Sequence, residues 1–244
     1  YFLFCDLMIM LTPERHFLLG VNFLPRREAI MNSKTKRITV IGMLCAITYV
    51  TMVVGRILIF LFLKYDPSDV IVTLGGLIWG PMTSCIVSVI VASIEMITVS
   101  DTGILGCIMN IIQTLSFACT AAVIYKKRHT LSGAVLGLGA GCLAMIVVML
   151  MWNYLVTPLY MGYPREAVAE LLIPVFLPFN LLKGGLNASV TFLLYKPVIT
   201  ALRKSGYVAA SEKEIRSRHA GMVLLASIII ATCILFILSM NGVL

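Results

Sequence analysis

The sequence predicts an all-α integral membrane protein, a bundle of apolar helices with one further hydrophobic helix at its C-terminal end. Three observations predict it. Hydrophobic residues make up 60% of the 244 and charged residues 12%, with a mean hydropathy of +1.00; an ordinary soluble domain is about half apolar and about a quarter charged. The apolar residues gather in runs, several of them long enough to cross the ~30 Å hydrocarbon core of a bilayer. The basic residues sit in clusters between those runs, at Lys34, Lys36 and Arg37, at Lys126, Lys127 and Arg128, at Arg203 and Lys204, and at Lys213, Arg216 and Arg218. The net charge of +8 is thus the charge of loops beside anionic lipid headgroups. Nucleic acid is not an expected partner.

Residues 1–30 differ from the rest. They mix short apolar pieces with Pro13, Arg15, Pro25, Arg26 and Arg27. Met31 is followed by polar residues, a basic cluster and an apolar run, which reads as a translation start. Residues 1–30 are therefore expected to be extra translated sequence or a tail. The expected domains are a six-helix membrane domain at 31–204, a charged cytoplasmic linker at 205–219 and an extra transmembrane helix at 220–244.

The first span is read at 38–55, with a more polar stretch at 56–69. The second apolar run, 70–79, breaks at Gly80-Pro81. About ten helical residues cover only ~15 Å, so this helix must extend into the preceding loop or lie tilted and buried among neighbours. The third span is 82–99, closed by the turn Ser100-Asp-Thr-Gly103. The fourth is 104–125 and the fifth 131–156. A polar connection at 157–170 leads to the sixth span, 171–202, which Pro174 and Pro178 interrupt. The seventh span is 220–240. With the first basic cluster in the cytoplasm, alternate crossings place the other clusters inside too. The outer loops then hold only Arg56, Lys64 and Arg165, as the positive-inside rule requires.

Ionisable and amide groups within membrane helices are costly and need a reason. Lys183 is the outlier, in the sixth span. It either snorkels to the outer interface or donates into an internal polar pocket. Pro178 favours the pocket, because a proline frees a backbone carbonyl. Asn180, three residues earlier, shares a helix face with Lys183. Asn153 and Asn110 sit toward the outer ends of the fifth and fourth spans. An amide suits the edge of a planar heterocycle or a polyol, or else a helix–helix hydrogen bond. Gln113 reads as structural. Asp66 and Asp69 fall in the first outer loop, where Asp66 can cap the second helix or accept a ligand hydroxyl. Glu95 is expected to reach the interface or a loop partner. These groups all lie toward the outer half, which argues against a proton-coupled carrier and for a pocket open to the outside.

Small residues form a second pattern. Gly133, Gly137 and Gly141 on the fifth helix allow close packing within the chain. Gly42 and Ala46 offer a flat face on the first helix to another membrane subunit. The seven cysteines include no C-x-x-C pair and read as small hydrophobes, so no metal site is expected. H-E-x-x-H, G-x-S-x-G and P-loop motifs are absent. Neither enzymatic activity nor ATP hydrolysis by this chain is expected.

Several motifs then carry a family resemblance. They are Leu63-Lys-Tyr-Asp-Pro-Ser-Asp69 before Gly75-Gly-Leu-Ile-Trp-Gly-Pro81, Gly106-Cys-Ile-Met-Asn110, Ile124-Tyr-Lys-Lys127, Trp152-Asn-Tyr-Leu-Val-Thr-Pro-Leu-Tyr160 and Pro178-Phe-Asn-Leu-Leu-Lys-Gly184. In this order, over roughly 34–204, the chain resembles the riboflavin-specific substrate-binding (S) components of energy-coupling factor (ECF) transporters. The resemblance implies a six-helix bundle in a bacterial plasma membrane with both ends cytoplasmic. It implies capture of riboflavin near the outer face as cargo, with FMN as an alternative flavin and no resident cofactor. Asn153 and Lys183 would contact the flavin or its ribityl chain, with Asn110, Asn180 and the loop of Lys64, Tyr65 and Asp66 nearby. Gly42 and Ala46 would dock on a transmembrane coupling subunit, and two cytoplasmic ATPases would drive toppling of the loaded subunit. An S component for another vitamin, a non-transport membrane subunit and an intramembrane enzyme are the alternatives. The seventh helix and residues 1–30 have no counterpart in the family.

Overall fold

A computed structural model describes residues 33–60, 63–99, 103–128, 130–162 and 164–205, together with 223, 226, 227 and 229–233. The proposed start at Met31 and residues 206–219 of the expected linker at 205–219 lie outside the described residues. The six expected core helices are all present. Helix α1 is Ser33–Gly55. Strands β1 (Ile57–Phe60) and β2 (Leu63–Tyr65) follow as an antiparallel hairpin, with Ile57 opposite Tyr65 and Leu58 opposite Lys64. Helices α2 (Ser68–Trp79) and α3 (Pro81–Thr98) meet at Gly80. Helix α4 is Gly103–Lys127, with a π turn at Leu115–Cys119. Helix α5 is Leu131–Met161. Helix α6 runs from 165 to 204, through Arg165–Leu171, a π turn at Leu172–Phe176 and Leu177–Lys204. Described residues between 223 and 233 are helical as well.

Five of these helices are long and apolar enough to cross a membrane. Helix α2, at 12 residues, spans only ~18 Å. It is instead buried along most of its length, from Ser68 to Val70 and from Val72 to Leu77. Burial among neighbours is thus how the short segment is accommodated. Its sharp exit needs Gly80, at φ 98°, followed by Pro81 in the first turn of α3, where a missing N–H costs nothing.

Two expected boundaries shift. Helix α5 continues through Pro158 to Met161 and ends at Gly162 (φ 69°), a left-handed residue that favours glycine. The expected connection at 157–170 therefore shrinks to a few residues, since Arg165–Leu171 is helical. Pro174 does not break α6; the helix widens into the π turn around it. At the other end of α5, the Thr130 side chain accepts from the Gly133 N–H at 3.0 Å. This satisfies one of the open donors of the first turn.

Among the described residues the core forms two larger clusters and a smaller one around Leu182 and Leu186 of α6. Val40, Leu44 and Met52 of α1 pack with Val72 of α2, Val87 and Val91 of α3, and Ala118 of α4. Phe117 and Ala121 of α4 pack with Leu138, Met145 and Met149 of α5, flanked by Ala188 and Phe192 of α6. Glycine permits the close approach of α4 and α5. A Cβ at Gly137 would lie 2.7 Å from the Ala121 carbonyl oxygen, and one at Gly141 2.6 Å from that of Phe117. Outward-facing residues stay apolar, including Val54 (82% exposed) and Ile97 (81%). Such a surface suits lipid as the outer solvent.

Candidate functional site: polar clusters beneath the hairpin

The hairpin caps one end of the bundle, and the basic residues Lys126, Lys127 and Lys204 lie at the other ends of α4 and α6. Two polar clusters lie under the hairpin. The first is built on Arg56, which follows the last turn of α1. Its guanidinium pairs with Asp66 (3.2 Å) and with Glu95 of α3, and Asn110 of α4 donates to Glu95 Oε2 at 2.7 Å. Burial works against the Arg56 charge. The hydrogen bond and charge of Glu95, and then those of Asp66, outweigh it and hold the pKa above the ordinary arginine value. Asp66 also accepts from the Ser68 N–H at 2.8 Å. It therefore satisfies one open donor at the start of α2 as well as tying the hairpin to Arg56.

The second cluster is deeper. Asp69, in the first turn of α2, is buried. Thr114 donates to its Oδ1 at 2.6 Å, and Gln113 and Asn187 to its Oδ2 at 3.1 and 3.3 Å. Lys183 Nζ stands 3.5 Å from the same Oδ2. Lys183 is itself 5% exposed, so it does not snorkel to the interface. Asn180, one turn earlier on α6, is fully buried, and its Nδ2 donates to the Phe176 carbonyl at the end of the π turn (2.8 Å). Asn153 of α5 is buried and accepts from Thr157 at 3.1 Å.

The predicted site residues thus fall into three groups. Lys183, Asn180 and Asn153 face inward on the adjacent helices α5 and α6. Asp66 and Asn110 meet through Arg56 and Glu95. Lys64 is exposed on the hairpin, while Tyr65 is half-buried against Leu182 and Leu186 of α6. Burial, then the charges of Asp69 and Asp66, push the Tyr65 phenol well above its usual range. Gly42 and Ala46 join neither cluster; they are exposed on α1, and a Cβ at Gly42 would meet nothing within 4 Å.

In the sequence Asp69 reads as a loop residue and Gln113 as structural, and Asn187 does not stand out. Asp69 instead lies in a buried helical turn that collects Gln113, Thr114, Asn187 and Lys183. A signal existed for Asn187: it lies four residues after Lys183 and seven after Asn180, on one helix face. Glu95 does find its loop partner, Arg56. Four buried polar atoms on α5 and α6 have no hydrogen-bonding partner among the described residues: Trp152 Nε1, Asn180 Oδ1, Asn187 Oδ1 and Thr191 Oγ1. A polar group left so costs about 1–3 kcal/mol, which a polar ligand or water would offset.

Residues 36–195 match the family described as ECF transporter, substrate-specific component. The chain belongs to this family. The riboflavin transporter FmnP of Bacillus subtilis (strain 168) is 30% identical over 186 residues, covering 70% of this S component and 98% of that protein. The riboflavin transporter RibU of Staphylococcus aureus (strain TCH60) is 28% identical over 187 residues, covering 73% and 98%. The solved structure of the S component of a bacterial ECF transporter superposes with a TM-score of 0.60 at 28% identity, over 70% of this chain and 99% of that one. The all-helical fold, the multi-pass membrane location and a transport role in place of an enzymatic one follow from this membership. The described helical residues of 223–233 lie beyond the matched segment.

Proposed function

We propose that this S component captures riboflavin beneath the β1–β2 hairpin, with that end of the bundle facing the outside. The observation that carries the reading is the burial of three polar side chains, Lys183, Asn180 and Asn153, on the adjacent helices α5 and α6. Amides and an ammonium match the carbonyl, ring-nitrogen and hydroxyl groups of a flavin. The curated relatives above, both riboflavin transporters by name, support the choice of ligand. Arg56, Asp66, Glu95 and Asn110 form the rim through which the hairpin and its Lys64 and Tyr65 cover the ligand.

Loading is followed by docking of the exposed α1 face, at Gly42 and Ala46, on a transmembrane coupling subunit. Two cytoplasmic ATPases then drive toppling of the loaded subunit, which turns the pocket inward. Riboflavin is cargo in this scheme and no resident cofactor takes part. The test is co-purification. Full-length protein expressed in riboflavin-containing medium and purified in detergent is expected to carry flavin absorbance, released on denaturation as riboflavin by chromatography. Protein that carries no flavin, and instead co-purifies with a different vitamin, would overturn the ligand.

A further inference from the structure

We propose that Asp69 is a positioning residue for Lys183: it fixes the ammonium inside the bundle so that its remaining N–H groups meet the ligand. This rests on the reading of Lys183 as a ligand donor. Among the described residues, no other carboxylate collects four side-chain donors. Thr114 and Gln113 reach it from α4, and Asn187 and Lys183 from α6. An ionised carboxylate offers about four acceptor sites; the three neutral donors take three and the ammonium stands beside the carboxylate, which leaves little capacity to accept from a ligand as well. The three neutral donors hold the carboxylate in place whether or not Lys183 is present.

Lysine is a point charge on a flexible four-carbon stem, and in an apolar helix its default is to reach for the polar end. Here the fixed negative charge on α2 draws it inward instead. The separation of 3.5 Å exceeds the ~2.7–2.9 Å of a tight charge-assisted hydrogen bond. The pair is thus an electrostatic tether, and the ammonium keeps donors that can turn toward an acceptor beside it. Asp69 also follows the hairpin by only a few residues, so the tether links the loop over the site to the helix that carries the ligand donor.

A double-mutant cycle separates positioning from a general structural role. Purified full-length protein, Asp69→Asn, Lys183→Met and the double variant are titrated with riboflavin by fluorescence quenching, with gel filtration and thermal unfolding reporting the fold. Asp69→Asn and Lys183→Met are each expected to weaken binding by about tenfold or more, and the double variant to bind within about twofold of Lys183→Met. If Asp69→Asn does not fold, comparing Lys183→Met with the double variant still decides. Asp69 keeps its three neutral donors in the first, and no buried charge is left unpaired in the second. Equal affinity of these two supports the proposal. A further tenfold loss in the double variant, or wild-type affinity in Asp69→Asn, overturns it. A wild-type chain that binds no riboflavin, or a Lys183→Met chain with unchanged affinity, overturns the binding reading and this inference together.

Discussion

Lys183 brings a positive charge into an apolar helix, and two groups can stabilise it there: Asp69 within the chain and an acceptor on the ligand. Hydrogen bonds to charged groups contribute about 1.5–3 kcal/mol and neutral ones about 1 kcal/mol. Lys183→Met is therefore expected to raise the riboflavin Kd by roughly 10–100-fold and Asn153→Ala by about fivefold. Unchanged affinity in both would remove them from the site. Lys183, Asn180 and Asn153 were legible in the sequence because polar side chains within long apolar runs demand compensation. Asp69 was not. It follows Pro67 in a polar stretch, where an acidic residue raises no question until the burial of that turn is known. The partner of Glu95 was equally hidden, since the pairing with Arg56 spans 39 residues of chain.

The elements divide along the same line. Helix count and the buried state of α2 follow from run length and apolar content, which act locally. The β1–β2 hairpin shows in the sequence only as a more polar stretch, because strands of four and three residues carry too little alternation to detect. The π turns at Leu115–Cys119 and Leu172–Phe176 depend on how neighbouring helices pack, and single-chain periodicity does not report that. Two glycine faces of similar sequence also have opposite fates. Gly141 lies against the Phe117 carbonyl, whereas Gly42 is open. Gly141→Leu is expected to destabilise the protein by about 1–3 kcal/mol through overpacking, seen as a lower midpoint in thermal unfolding. Gly42→Leu is expected to leave unfolding and riboflavin binding unchanged while abolishing uptake in cells. Normal uptake by a Gly42→Leu chain would move the docking face elsewhere.

Across the whole molecule, the two larger apolar clusters are joined by the Asp69 cluster, which links α2, α4 and α6. The described residues of the appended helix pack against α6 and the hairpin. Ile229 and Cys233 come within 3.7 Å of where a Cβ on Gly185 would be, and Ile230 and Cys233 pack beside Tyr65, Phe179, Leu182 and Leu186. The basic clusters support the proposal that the hairpin faces outside. In cells, Lys64→Cys in a cysteine-free background is therefore expected to react with a membrane-impermeant maleimide added externally. Labelling only after permeabilisation would invert the bundle. Every step of the proposed transport begins with capture of riboflavin under that hairpin. Its most direct test is titration of ligand-free, detergent-purified protein with riboflavin, followed by quenching of the flavin fluorescence. Saturable binding with one riboflavin per chain at or below micromolar concentration is the predicted result, and no quenching at micromolar riboflavin by a folded, monodisperse sample would contradict it.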